Sequence, residues 1–208
     1  MLSKLTRLPI RAFRHVLLDR SYESYYSSEV WERKYRDEHY DLGDPQEDGR
    51  FGALMQVLRR YDRGPMLDLG CGDGLLWKRY RPLSSSLLVG VDYSDTAVAK
   101  ANSLALPETE FRCGDYRNFD PARQFAVVVF NESLYYIDAY PHAIAKAESF
   151  LSENGVIVVS MFDTLVTRRI WKSLLERRKW LQSLSVHDHR SKRMWTIRVF
   201  PGQDTKQP

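Results

Sequence analysis

Apolar positions along the chain alternate between helical spacing and short unbroken runs. From 50 to 61, Phe51, Leu54, Met55, Val57 and Leu58 recur with the period of an amphipathic helix. A short apolar run from Met66 then ends in Gly70, Gly72 and Gly74, and Leu75, Leu76 and Trp77 open a helical pattern directly behind it. That order predicts a buried strand turning sharply into a helix. A second buried strand is predicted over 87–91, ending at Asp92. A helix follows from about Ser94, which is placed to cap it, with Ala97, Val98 and Ala101 on one face. A short third strand over 110–113 leads to Asp115, and a fourth over 125–130 carries the β-branched run Val127, Val128 and Val129. A helix over 141–151 has Pro141 in its first turn and Gly155 beyond its end. A fifth strand over 156–160, a long basic helix over 164–181, and two last strands over 184–187 and 194–200 around a polar turn complete the chain.

Strands alternating with helices predict an α/β domain with a mainly parallel sheet covered on both sides. The tight turn between the last two strands makes them antiparallel to each other. The expected organisation is an N-terminal extension over 1–49 packing on the core, a domain over 50–202, and a flexible tail over 203–208. Within the extension, residues 1–20 hold five basic residues among apolar positions at roughly helical spacing. This segment either packs on the domain, is flexible, or forms an amphipathic helix that rests on an anionic membrane surface. The segment 22–40 is rich in aromatic residues, and the spacing of Trp31 and Tyr35 puts both rings on one helical face. They either cover the sheet edge or roof a ligand pocket.

At 208 residues, with 43% apolar and 28% charged residues, the chain can bury a full core without disulfides or metals. Cys71 and Cys113 read as reduced thiols of a cytoplasmic protein, and no apolar run approaches the ~20 residues that span a bilayer. The formal charge of +4 is unevenly placed: 165–193 holds nine Lys or Arg against Glu176 and Asp188. This excess is either a solvated helix face or the mark of an anionic partner.

The glycine loop carries the chemistry. Reversal from strand to helix needs positive φ and leaves no room for Cβ atoms against a ligand. A dinucleotide loop would read Gly-x-Gly-x-x-Gly, but Gly74 follows Gly72 by two and position 75 is leucine. Asp68, two residues before Gly70, would repel a pyrophosphate and attract an ammonium or hydroxyl group. In an open α/β sheet Asp68, Asp92 and Asp115, each at a strand's carboxyl end, share one crevice.

The acid followed by Gly-x-Gly-x-Gly resembles the first motif of the class I methyltransferases that use S-adenosyl-L-methionine (SAM). The resemblance runs over about 50–160 and implies a Rossmann-like seven-stranded, mostly parallel sheet with one antiparallel strand and helices on both faces. It assigns the cofactor to Asp68, Gly70, Cys71, Gly72 and Gly74, to Asp92 and Tyr93, to Asp115 and Tyr116, and to Asn131. Asp92 suits the two ribose hydroxyls, because vicinal donors match two carboxylate oxygens. The resemblance sets Asp115 against the adenine amino group and Tyr116 against the ring. Ala126 departs from the family, many of whose members carry aspartate there. The stretch 130–136 is similar to the nodulation N-methyltransferases, a small-molecule branch.

The implied activity is methyl transfer to an N or O atom of a small-molecule acceptor, anionic or sugar-like. Glu132 is the candidate catalytic group; it orients a cationic acceptor, takes a proton from a hydroxyl, or bonds to backbone. His142 is a second candidate base if it reaches the pocket. Trp31, Tyr35, Tyr135, Asp163, Arg168 and Arg169 are the candidate acceptor contacts. His187 and His189 lack a third ligand at useful spacing, so no metal is expected. Nucleic acid is not an expected partner, because the fourth strand lacks an Asn/Asp-Pro-Pro-aromatic signature. The chain is expected to be a monomer or homodimer. The competing function is a non-catalytic SAM-binding module docking on a membrane or protein.

Overall fold

A computed structural model describes residues 28–37, 47–137 and 139–202. The expected basic segment 1–20, the rings of Tyr22, Tyr25, Tyr26 and Tyr40, most of the acidic loop and the tail 203–208 lie outside the described residues. In chain order the helices and strands are α1 (Ser28–Arg36), α2 (Asp48–Tyr61), β1 (Met66–Leu69), α3 (Leu75–Tyr80), β2 (Leu88–Asp92), α4 (Asp95–Ser103) and β3 (Thr109–Cys113). There follow β4 (Phe125–Asn131), α5 (Tyr140–Ser149), β5 (Leu151–Phe162), α6 (Leu165–Arg177), β6 (Gln182–Asp188) and β7 (Arg193–Pro201).

The strands form one seven-stranded sheet in the order β3-β2-β1-β4-β5-β7-β6. Only β7 runs against its neighbours, so one antiparallel strand among seven is what the sheet contains. Strand order reverses between β1 and β4, which pair directly in parallel. At such a switch point the flanking loops diverge and leave a crevice at the carboxyl ends of the strands.

Because side chains alternate along a strand, each strand feeds two cores. Leu67, Leu69, Val89, Val91, Val128, Phe130, Ile157 and Val159 pack with Ala143, Ile144 and Ala147 of α5 and with Ile170, Trp171 and Leu174 of α6. Met66, Leu88, Val127, Val129, Val156 and Val158 face the other way, toward Phe51, Leu54 and Leu58 of α2 and Leu76 and Trp77 of α3. Burying side chains of this kind contributes roughly 1.5–3 kcal/mol each. The same alternation sends Asp68 to the side of Met66, against α2.

Ser94 caps α4 as its position predicts, its hydroxyl accepting from the Ala97 amide at 3.0 Å. Several boundaries differ from those predicted, among them that of β5, which begins at Leu151 rather than at 156. The helix predicted over 141–151 ends at Ser149, and Gly155 lies within β5 rather than closing the helix. A Cβ there would stand 2.9 Å from the Ser152 carbonyl and 3.0 Å from that of Phe125, so Gly155 serves a close backbone approach. The helix predicted over 164–181 stops at Arg177: Arg178 is extended and pairs with Glu148, and the Leu181 amide already donates to Val199 at 2.8 Å. Finally, β6 runs over Gln182–Asp188, longer at both ends than the predicted 184–187, with His187 on the strand and His189 beyond it as that prediction had them.

Gly90 in β2 lets the glycine loop descend onto the sheet. A Cβ at this position would meet Cys71 Sγ at 2.7 Å and Phe111 Cδ1 at 2.8 Å. Gly90→Ala should therefore destabilise the domain by about 1–3 kcal/mol through overpacking. Urea unfolding monitored by tryptophan fluorescence measures this, and an unchanged midpoint would show that the loop yields freely.

Candidate active site

The crevice at the β1/β4 switch opens into a cavity of about 560 Å³. Its floor is the turn after β1, where Gly70, Gly72 and Gly74 have φ of +83°, +56° and +80°. Left-handed backbone lets this turn fold tightly enough for the Gly70 and Cys71 amides to donate to the Val91 carbonyl, at 2.8 and 3.1 Å. A Cβ on Gly70 would stand 2.5 Å from that of Ser133, so this glycine is also needed for the approach of the segment after β4. Gly70, Cys71 and Gly72 line the cavity, whereas Gly74 packs on Phe111 and Ala101 outside it.

Asp92 ends β2 on the cavity wall. One carboxylate oxygen accepts from the Gly72 amide at 2.9 Å and the other from the Ser94 amide at 3.0 Å, which fixes its plane. Burial raises its proton affinity, and those two amides oppose the rise. Tyr93, Asp115 and Tyr116 line the same wall. Asp115 accepts from the Arg117 backbone amide at 2.8 Å and from its guanidinium Nε at 2.6 Å. Burial, with Asp115 nearby, pushes the Tyr93 phenol up to about 12.

Asn131 and Glu132 form the end wall behind β4. Glu132 has φ +57°, an uncommon conformation for a side-chain-bearing residue. Its carboxylate accepts from Ser160 Oγ at 2.9 Å, the Phe162 amide at 2.8 Å and the Tyr135 hydroxyl at 3.1 Å. Burial raises its proton affinity, while the Arg50 guanidinium, 4.0 Å away, opposes the rise. Trp31 and Tyr35 of α1 both face the cavity, with Tyr136 edge-on to Trp31 at 4.8 Å between centroids. The two buried rings pack with Ala97 and Tyr136.

Residues 32–203 match the family described as a methyltransferase domain. The chain belongs to that family. It is 32% identical over 123 residues to the trans-aconitate 2-methyltransferase of Yersinia pseudotuberculosis, covering 56% of this chain and 46% of that protein. It is 30% identical over 112 residues to the ubiquinone biosynthesis O-methyltransferase of Rhodopseudomonas palustris, covering 52% and 42%. The chain thus matches less than half the length of these curated relatives. Among solved structures, the N-methyltransferase NodS of Bradyrhizobium japonicum WM9, in complex with S-adenosyl-L-homocysteine, superposes with a TM-score of 0.71. That match has 20% identity over 85% of this chain and 98% of NodS. The DhpI–S-adenosylhomocysteine complex superposes at 0.65, again with 20% identity, over 85% and 95%. Both likenesses are of fold.

Several expected members of the site lie elsewhere. Asp68 is 1% exposed and sits beneath the floor, with one carboxylate oxygen lacking a hydrogen-bond partner. His142 is exposed in the first turn of α5, because Ala143, Ile144 and Ala147 take that helix's buried face. Asp163 and Arg168 pair with each other at 2.8 and 2.6 Å in a separate groove beside Trp171 and Lys172, and Arg169 is exposed on α6. Tyr135 is not among the residues lining the cavity; it meets the site through its bond to Glu132 and through its ring, 4.3 Å from that of Tyr136.

Arg50 is a cavity residue that the sequence reading did not single out. It is fully buried, yet its guanidinium lines the cavity, donating to Glu47 at 2.6 Å and to Asn131 Oδ1 at 2.5 Å. A signal was available: Arg50 lies one helical turn before Leu54 on the apolar stripe of α2. Arg117 was likewise missed, and nothing in its local pattern marks it.

Burial, and next the neighbouring Asp92, hold the Asp68 carboxyl well above the usual aspartate range, with Arg50 opposing. Between about pH 4 and the folded value the native chain keeps a proton that the unfolded chain has released, so stability falls as pH rises. Asp68→Asn removes this dependence. The variant should gain stability relative to the parent as pH goes from about 5 to 8, measured by urea midpoints; a difference constant with pH would contradict it.

Proposed function

We propose that the chain is a SAM-dependent methyltransferase acting on an N or O atom of a small-molecule acceptor. The observation that carries this reading is Asp92, whose two oxygens are held by the Gly72 and Ser94 amides at the wall of the cavity. A carboxylate so fixed suits a pair of vicinal ribose hydroxyls. The donor set fits the rest of the cofactor too. Asp115, Tyr116 and Tyr93 offer an acid and two rings for adenine, and Asn131, its Oδ1 held by Arg50, offers its amide N–H groups for the amino-acid end. No bulky side chain fills the space between these groups, which measures about 560 Å³.

When bound, SAM supplies a methyl group on a sulfonium already activated for displacement. The chain's own work is then to hold a nucleophile about 3 Å from that carbon, in line with the departing sulfur, and to exclude water. Glu132 forms the wall nearest the transfer point by its place after β4. Its raised proton affinity suits proton acceptance from a hydroxyl, and its bonds to Ser160, Phe162 and Tyr135 keep it from swinging away. A neutral amine would need the carboxylate only as a hydrogen-bond acceptor.

The acceptor rests under Trp31, Tyr35 and Tyr136, a wall that suits the C–H face of a sugar or a planar ring. Among the described residues, the arginines nearest the cavity are already paired. Arg50 is committed to Glu47 and Asn131, Arg117 to Asp115, and Arg168 to Asp163 outside the cavity. The non-catalytic alternative rested on residues 1–20 and on the basic helix, and no described contact supports it.

Calorimetry with S-adenosylhomocysteine tests the cofactor. Binding is expected, and Asp92→Ala should weaken it at least about tenfold, since each charge-assisted hydrogen bond contributes roughly 1.5–3 kcal/mol. Absence of binding by the parent chain sinks the proposal. Incubation with SAM and a metabolite extract should yield a product heavier by ~14 mass units, the increment of one methyl transfer. With a hydroxyl acceptor, Glu132→Gln should lower kcat about 10²-fold or more at unchanged cofactor affinity.

A further inference from the structure

Helix α1, which brings Trp31 and Tyr35 over the cavity, joins neither of the two main cores among the described residues. These two rings bury against Ala97 and the half-buried Tyr136, in a cluster separate from the two main cores. Among the described residues, one α1 side chain makes three hydrogen bonds to the start of α4. One Glu32 oxygen accepts from Ser94 Oγ at 2.5 Å and from the Thr96 amide at 3.2 Å, and the other accepts from the Thr96 hydroxyl. These bonds hold the carboxyl down at about 2, against the opposing effect of burial. A second tie runs back from α4, where Lys100 Nζ donates to the Tyr35 carbonyl at 2.8 Å.

The first turn of α4 leaves amides that its own residues cannot satisfy. Ser94 takes the Ala97 amide, and Glu32, from a helix more than sixty positions earlier, takes that of Thr96. A carboxylate is also the favoured charge at a helix N-terminus. Ser94 is the shared element: its hydroxyl donates to Glu32 while its backbone amide donates to Asp92. A continuous chain of hydrogen bonds therefore joins the roof helix to the carboxylate that faces the cavity, and through it to Gly72 of the floor.

We propose that Glu32 is a positioning residue that seats the aromatic roof on α4 and couples its closure to occupancy at Asp92. This rests on the reading of the cavity as a cofactor site. A group bound at Asp92 holds the Ser94 turn in place, and that turn holds Glu32. Loss of Glu32 frees α1, and the cavity then releases its contents faster although no group touching them has changed.

Hydrogen exchange of the full chain, followed by mass spectrometry without ligand, tests the seat. Glu32→Ala should speed exchange of amides in 28–36 about tenfold or more, the scale of one lost charge-assisted hydrogen bond, while peptides from β1 and β4 stay at the parental rate. Stopped-flow displacement of S-adenosylhomocysteine tests the coupling, with an expected rise in its dissociation rate of similar size. Thr96→Val, which removes one of the Glu32 partners and should leave the fold intact, should move both readouts the same way, and the double variant should add little to Glu32→Ala. Unchanged exchange over 28–36 in either single variant overturns the proposal. So does faster exchange with an unchanged release rate. Failure of the parent chain to bind S-adenosylhomocysteine would instead defeat the assignment of function and, with it, the coupling, while the exchange result would still decide whether Glu32 seats the roof.

Discussion

A single buried guanidinium makes the site tolerable to the fold. Asp68, Asp92 and Glu132 stand toward the carboxyl ends of the neighbouring strands β1, β2 and β4, and burial pushes the proton affinity of each upward. Arg50 opposes this at Asp68 and at Glu132. It is itself acceptable in the interior because Glu47 and Asn131 take its N–H groups and the Phe51 ring lies 4.3 Å from it. Breaking a buried arrangement of this kind by removing one partner typically costs about 3–5 kcal/mol. The cavity wall and the core beneath it are thus one electrostatic unit, and α2 belongs to the site as much as to the scaffold.

The topology explains why these groups meet. Reversal of strand order between β1 and β4 sets the glycine turn beside the segment after β4, and Gly70 leaves space for Ser133 to close on it, its hydroxyl donating to the Leu69 carbonyl at 2.5 Å. Gly90 admits Cys71 from above, so the floor lies directly on β2. The roof depends on weaker means, a small aromatic cluster and a few polar ties to α4. Rigid floor and separately held roof is an arrangement in which local opening costs less than unfolding.

Much of this was legible in the chain. The Ser94 cap, the glycine turn and the places of Asp92 and Asp115 on one crevice follow from local pattern and from the geometry of an open sheet, while that of Asn131 is what the family resemblance implies. The errors share a cause. Arg168 and Arg169 were set near the acceptor because they open a helix just after β5, but Ile170, Trp171 and Leu174 claim the buried face of α6 and turn both arginines outward. His142 lost its place in the same way to Ala143 and Ile144. Asp68 was read as facing the ligand from its place at a strand end, whereas the alternation of β1 sends it under the floor toward α2.

Local rules therefore decided the elements and the turn: side-chain period, a capping hydroxyl and the need for positive φ act over a few residues, and a sequence displays them directly. The partners of each charge were decided only in three dimensions. Arg50 meets Asn131 across 81 positions and Glu32 meets Ser94 across 62. Neither pairing has a periodicity to betray it, because both arise from how helices seat on a finished sheet, and that seating depends on the summed packing of the whole core rather than on any one stretch of chain.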